Sequence, residues 1–370
     1  MYVKRIELKD FRNYSELDVS FNRNVNIFIG NNAQGKTNLL EAIYLNSMAR
    51  SFKNAKDRDL VKFGCSFCRM RTTAFFDDDD HTTEIIITKD GKKGVKLDNV
   101  RVRRTSELLE RIFIIIFSPE DMKIVKDEPE KRRKFIDREL CQIKPGYYSD
   151  LSSYRRVLRQ RNIYLKESSV DKSVLDIWDR ELAKYGARVT AKRDEFILKI
   201  SDISRDIHSS ISGGKETLEV RYEANIGKEV LPEAADADIE QIFYEKLREK
   251  RDDDIRNRTT GTGPHKDDLK ISADGIDLRK FGSQGQQRTA ALSLKLSEIK
   301  LVEEEMGEKP ILLLDDVLSE LDNDRQTYLI NSLGGNQLFI TTTDISGKVE
   351  KSLPEGKIFR INSGKIEAET

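Results

Sequence analysis

The sequence is short of the features that would place it in several large classes. Three cysteines in 370 residues are too few for a disulfide scaffold. Cys65 and Cys68 do make a C-x-x-C pair, but no second pair or nearby histidine completes the four ligands of a tetrahedral zinc site. They read as ordinary thiols near a strand. No stretch approaches about 18 apolar residues and the N-terminus carries no signal-peptide core, which argues against membrane spanning and secretion and leaves the cytoplasm. Net charge is lacking too: 65 Lys and Arg offset 65 Asp and Glu. Bulk electrostatics therefore predict no polyanionic partner, and a nucleic-acid surface would have to be local. No internal repeat or low-complexity segment occurs.

What remains is a soluble globular composition, 37% hydrophobic and 35% charged, long enough for two lobes with real cores. Its most informative stretch is Gly30-Asn31-Asn32-Ala33-Gln34-Gly35-Lys36-Thr37, which fits G-x-x-x-x-G-K-[ST]. Gly30 and Gly35 let the backbone curl so that successive N–H groups face a phosphate. Lys36 then reaches the β- and γ-phosphates, and the Thr37 hydroxyl holds Mg²⁺. The context is right, because Val25 to Ile29 reads as a buried strand and Lys36 to Ala49 as a helix, so Asn38 falls in the helix's first turn. A strand, a loop and a helix N-terminus make an anion site.

The rest of such a site lies far downstream. Ile311-Leu312-Leu313-Leu314 is an apolar run of strand length that ends in Asp315-Asp316. Paired acids at the end of a buried strand call for a cation or a reaction. Asp315 is assigned to Mg²⁺ and Asp316 to polarising an attacking water. Between the two halves, Ser283-Gln284-Gly285-Gln286 opens a helix of small and apolar residues and suits a second anion cradle. One site does not need two cradles. The second is best explained as closing over ATP held by another copy of the chain, which would dimerise around ATP and separate after hydrolysis.

These segments resemble the signature (Ser283 to Arg288), Walker B strand (Asp315-Asp316) and D-loop (Ser319 to Asp322) of the ABC-type ATPase heads of the SMC and Rad50 superfamily. More closely, the chain resembles the RecF family of bacterial DNA replication and repair proteins. That resemblance also rests on Phe11-Arg12-Asn13-Tyr14, Asn38 to Ala42, Phe117 to Asp121, Arg132 to Asp137 and Gly263 to Leu269. It implies a weak, DNA-stimulated ATPase used as a switch, with no chemistry on DNA. It further implies ATP and Mg²⁺ as cofactors, duplex DNA near single-strand gaps as the target, and RecR with RecO as partners in loading RecA. Arg12 is expected to approach the nucleotide, Ser319 and Asp322 to act in the D-loop, and Thr343 or Asp344 to take the place of the histidine that senses the γ-phosphate. A transporter ATPase subunit or a short SMC-like structural ATPase shares the nucleotide motifs and stays open as an alternative. The helices here are too short for a long coiled coil, and no zinc hook is present.

The expected fold is α/β: an ABC-type P-loop ATPase head with a mixed or parallel sheet and helices in lobe I (1–117 plus 285–370), and an inserted helical lobe II (118–284) that ends in the signature. Ser118-Pro119-Glu120-Asp121 reads as the start of a helix, and a long helical pair is expected at 146–167 and 173–211 with Trp178 as its core anchor. Three basic clusters stand out: Arg101, Arg103, Arg104 and Arg111; Lys131 to Lys134; and Arg155, Arg156, Arg159 and Arg161. Arg155 and Arg159 share a helix face at i, i+4. The first and third clusters are preferred for DNA, with Arg101, Arg103, Arg104, Arg155 and Arg159 as contacts. His81 and His208 are expected at the surface, and His265 either shapes a turn or lies near an interface.

Overall fold

The computed structural model describes residues 1–103, 105–109, 111–227, 236–343 and 355–369. In chain order the first stretch holds β1 (Tyr2–Phe11), β2 (Tyr14–Ser20), β3 (Val25–Ile29), α1 (Lys36–Met48), β4 (Phe67–Phe76), β5 (Asp79–Thr88), β6 (Lys93–Leu97), β7 (Val100–Arg101) and β8 (Ile114–Phe117). The middle holds α2 (Pro129–Ile143), α3 (Pro145–Tyr164), α4 (Lys172–Ser212), β9 (Leu218–Glu223), α5 (Asp236–Glu249), α6 (Arg251–Asn257), β10 (Asp268–Ala273), β11 (Ile276–Asp277), α7 (Leu278–Phe281) and α8 (Gln284–Met306). The chain ends with β12 (Ile311–Asp315), α9 (Asn323–Ser332), β13 (Leu338–Thr342), β14 (Gly356–Asn362) and β15 (Lys365–Glu369).

Two compact units emerge. One joins Met1–Met122 to Glu298–Thr370, and the other is Lys123–Ser297. The sequence pattern predicts joints at 117/118 and 284/285.

Among the described residues, the two-ended unit contains two sheets. Strands β3, β8 and β12 are apolar nearly end to end and almost wholly buried, as strands covered on both faces must be. They lie in a six-stranded sheet of order β15-β14-β3-β13-β12-β8. From β14 to β8 every pairing is parallel, and β15 is antiparallel at the edge. A cluster of Phe21, Phe28, Phe339 and Phe359 packs this core, with Phe28 stacked on Phe359 at 5.3 Å and Phe21 edge-on to Phe339 at 4.9 Å. The register pairs Asp315 with Thr341 and Thr342 with Ile29. The carboxyl ends of β3, β12 and β13 therefore coincide, which is where parallel sheets place ligands. The other sheet, β2-β1-β4-β5-β6-β7, is an antiparallel meander.

The second unit is dominated by α4, 41 residues long. Asp171 caps its start by accepting from the Ser173 N–H at 2.7 Å, and Gly213 in the left-handed region ends it. On α4, Gly186 makes room for α5: a Cβ there would stand 2.1 Å from the Phe243 ring.

Four sequence expectations need correction. No α-helix starts at Ser118. The Asp121 carboxylate turns back to accept from the Ser118 N–H and hydroxyl, closing a short turn, and α2 begins at Pro129. Trp178 is only half-buried; the core of the helical pair is aliphatic, with Leu175, Leu182 and Val189 from α4 fully enclosed. His208 is not at the surface but completely buried. The middle unit is also not purely helical, because β11-β10-β9 form an antiparallel sheet.

Candidate nucleotide-binding site

Gly30 follows β3 directly, and a Cβ on it would stand 2.3 Å from the Ile361 carbonyl oxygen of β14, so only glycine fits. Gly35 has φ +117°, and its Cβ position lies 2.6 Å from Asn13 Nδ2. Gly35 is also the N-cap of α1, where no side chain caps the first turn, leaving helix-start N–H groups for an anion. Asn31, Asn32 and Ala33 are exposed.

The Lys36 ammonium folds over the loop and donates to the carbonyls of Gly30 and Asn31, the latter at 3.0 Å. Burial lowers its pKa, against the opposing pull of Asp316 and Asp315. The Thr37 hydroxyl donates to Asp315 Oδ1 at 2.8 Å, and the Thr341 hydroxyl reaches the same oxygen at 2.9 Å. Burial raises the Asp315 pKa, and the two hydroxyl donors counteract it. Asp316 adopts φ +53°, a left-handed conformation tolerated by Asp, and its N–H donates to Thr341 Oγ1 at 3.0 Å. Ser319 Oγ donates to the Asp316 carbonyl at 2.7 Å. Asp322 caps α9 through the Arg325 N–H at 3.0 Å. Thr343 is exposed, and Asp344 lies outside the described residues.

The Thr37 hydroxyl and the Asp315 carboxylate, at the carboxyl end of the sheet, are hard oxygen donors. They fit Mg²⁺, which commonly takes one or two protein oxygens and completes its shell with phosphate oxygens and water.

Arg12 is engaged within the protein. Its Nε and Nη2 make a two-pronged pair with the fully buried Glu41 at 2.9 and 2.8 Å, and Nη1 donates to the Asp59 carbonyl at 2.9 Å.

Several contributors escaped the sequence reading. Asn13 Nδ2 donates to the Gln34 carbonyl at 2.9 Å, and the Tyr14 hydroxyl donates to the Gly35 carbonyl at 3.0 Å. Lys53 donates to Asn38 Oδ1 at 3.2 Å. From the far end of the chain, the Gly364 N–H donates to the Gln34 carbonyl at 2.9 Å and the Ser363 N–H to Gln34 Oε1 at 2.6 Å. The phosphate loop is thus held by one hairpin turn on each side. Asn13 and Tyr14 belong to the Phe11-Arg12-Asn13-Tyr14 motif, but the Ser363-Gly364 turn carries no local mark of its role.

In the other unit, Ser283 is exposed at the start of α8 and forms a reciprocal cap with Gln286: the Gln286 N–H donates to Ser283 Oγ at 3.2 Å and the Ser283 N–H to Gln286 Oε1 at 2.9 Å. Gln284 is exposed and Gly285 half-buried.

The basic clusters separate. Arg101 and Arg103 are exposed, while Arg104 lies outside the described residues. Arg155 and Arg159 are both exposed, and Arg155 pairs with Asp137 at 2.7 Å. Arg161 is buried between Asp179 and Asp254 at 2.7 and 2.8 Å, and Arg132 is buried against Asp268 at 2.6 Å. Those two are structural. Cys68 is buried, with its thiol pushed up to about 12 by desolvation, so it is unsuited to thiolate chemistry.

The family model for the RecF/RecN/SMC N-terminal domain matches residues 2–363. The chain is 44% identical to the DNA replication and repair protein RecF of Agathobacter rectalis, covering 99% of each chain. It is 42% identical to the RecF of Clostridioides difficile, covering 99% of this chain and 98% of that one. Among solved structures, the recombination mediator protein RecF with ATP, described within the RecFOR pathway, is 38% identical with a TM-score of 0.91, covering 100% of this chain and 97% of that one. An Smc head domain derived from Pyrococcus furiosus, at 16% identity and a TM-score of 0.56 over 100% of this chain and 96% of that one, shares the ABC-type head fold.

Proposed function

The chain belongs to the RecF family of DNA replication and repair proteins, within the RecF/RecN/SMC group, and on that premise we propose that it is an ATP-gated DNA clamp. ATP lies along Gly30 to Thr37, its phosphates on the loop N–H groups and the α1 N-terminus, with Lys36 swinging from the loop carbonyls to the β- and γ-phosphates and Asn38 beside them. Thr37 and Asp315 hold Mg²⁺, which neutralises charge developing on the phosphates. Asp316 orients the attacking water, and Thr343 or Asp344 senses the γ-phosphate. Arg12, paired with Glu41, approaches the nucleotide, and Ser319 and Asp322 carry the D-loop.

Ser283 to Gln286 caps ATP bound to a second copy, so ATP drives pairing and slow hydrolysis ends it. The paired protein grips duplex DNA near a single-strand gap through exposed arginines, among them Arg101, Arg103 and Arg159, with Arg104 and Arg155 as further candidates. It works with RecR and RecO in loading RecA. The observation that carries the nucleotide half is the Thr37–Asp315 hydrogen bond, which unites the phosphate loop with the acidic strand end. Light scattering with and without ATP tests the clamp: association only with ATP supports it, and a monomer under all conditions refutes it.

A further inference from the structure

The reciprocal cap at Ser283 uses only one end of the Gln286 amide. Its other end, Nε2, donates to Glu216 Oε1 at 2.8 Å. Glu216 lies between α4 and β9, three-quarters buried, and its second oxygen stands 3.3 Å from His208 Nε2. His208 is fully enclosed near the end of α4, and its Nδ1 lies 3.3 Å from Ser293 Oγ on α8.

A glutamine amide has one acceptor and two donor positions in a fixed plane. With Oε1 on the Ser283 N–H and Nε2 on Glu216, its orientation is set from both ends. Without Glu216 the amide could turn over, presenting NH₂ to a backbone N–H and opening the cap. The Ser283 hydroxyl, which the same cap holds through the Gln286 N–H, would then lose its direction. The contacts through Glu216 and His208 also tie the end of α4 to the first turns of α8.

We propose that Glu216 is a positioning residue for the signature segment: it fixes the Gln286 amide so that the Ser283 hydroxyl and the N–H groups of the first α8 turn are aimed at the γ-phosphate bound to a second copy of the chain. This rests on the reading of Ser283 to Gln286 as a cap acting between copies. On this proposal, ATP binding to the chain's own loop does not depend on Glu216.

The test compares Glu216→Met, which keeps the bulk but has no strong acceptor, Glu216→Ala, and the conservative Glu216→Gln, whose amide oxygen still accepts from Gln286. Fluorescent ATP-analogue binding to dilute protein, circular dichroism and sedimentation with ATP are measured on each full-length chain. The expected result is unchanged analogue affinity for all three, ATP-dependent association weakened at least tenfold in Glu216→Met and Glu216→Ala, and association within about twofold of wild type in Glu216→Gln. If Glu216→Ala is unfolded by circular dichroism, Glu216→Met carries the comparison. Wild-type association in Glu216→Met overturns the inference, as does a loss in Glu216→Gln equal to that in Glu216→Met, which would trace the effect to charge rather than amide orientation. Failure of the wild type itself to associate with ATP defeats the reading of the cap between copies, a distinguishable outcome.

Discussion

Thr37 and Asp315, 278 positions apart, share a hydrogen bond of 2.8 Å. Since Thr341 bonds the same carboxylate oxygen, Asp315 Oδ1 accepts two hydroxyls at the point where β3, β12 and β13 end together. In Asp315→Asn an amide NH₂ facing those hydroxyls would break the pattern, and an amide oxygen is a poorer Mg²⁺ ligand than a carboxylate. Hydrolysis is expected to fall on the order of 10²-fold, while nucleotide binding in Mg²⁺-free buffer stays near wild type. Phosphate release across a Mg²⁺ titration measures the first and equilibrium binding the second. Unchanged hydrolysis would remove Asp315 from the metal site.

If the chain pairs through ATP, three variants separate that would not separate in a simple nucleotide-binding protein. Lys36→Ala should not bind ATP, Ser283→Arg should bind it without associating, and Asp316→Asn should form an ATP dimer that persists because the water is no longer polarised. Sizing by light scattering distinguishes all three. A Ser283→Arg chain that pairs normally would rule out a cap between copies.

The parts of the site that were legible in the sequence are those in which one short segment does one physical task. Gly30, Gly35, Lys36 and Thr37 declare a phosphate loop by spacing alone, and four apolar residues before Asp315 declare a buried strand with a charged end. The Gln34 clamp was not legible, because Ser363 and Gly364 look like any hairpin turn until the parallel β3–β14 pairing brings them beside the loop. Charge runs misled for a related reason. Arg132 and Arg161 read like their exposed neighbours, yet buried acids from distant segments, Asp268 for one and Asp179 with Asp254 for the other, draw them inside. His208 likewise gained its partners Glu216 and Ser293 only through folding.

If several arginines meet DNA phosphates, log affinity should fall with log salt by roughly 0.9 per contact. Arg159→Ala, Arg101→Ala and Arg103→Ala should each lower the slope by about 1. Arg155→Ala should change it less, because Asp137 already occupies that guanidinium. Fluorescence anisotropy at four or five salt concentrations gives the slopes. No salt dependence would exclude phosphate contacts.

Gly364 tests the hairpin clamp on the phosphate loop. Its φ is +73°, and an added Cβ would stand 2.6 Å from the Asn13 carbonyl oxygen, so alanine is strained both by conformation, at about 1 kcal/mol, and by contact. The turn can relieve that strain by releasing Gln34. Gly364→Ala is therefore expected to weaken ATP binding several-fold with only a small drop in Tm, as read by calorimetry. Gly91→Ala, also at positive φ but with nothing within 4 Å of its Cβ, should cost stability without changing ATP affinity.

His265 sets a pH limit on the inserted unit. Its Nε2–H donates to the Thr260 carbonyl at 3.0 Å, and its Nδ1 lies 2.6 Å from the Tyr154 hydroxyl, which donates to it when the ring is neutral. A proton on Nδ1 would reverse that second bond, with the Tyr154 hydroxyl accepting instead of donating. Burial, with Lys266, Arg133 and Arg161 as nearby positive charges, lowers the His265 pKa to about 4 from the ordinary 6.5. Between these values the unfolded chain binds a proton that the folded chain refuses, so stability falls as pH drops from about 6.5 toward 4. By linkage the loss reaches at most about 3 kcal/mol. His265→Gln, which cannot titrate, should be less stable than wild type at pH 7.5 but should flatten the profile between pH 6.5 and 4.5. Urea unfolding of both proteins across that range measures the difference. Parallel profiles would show that His265 is not the group that titrates.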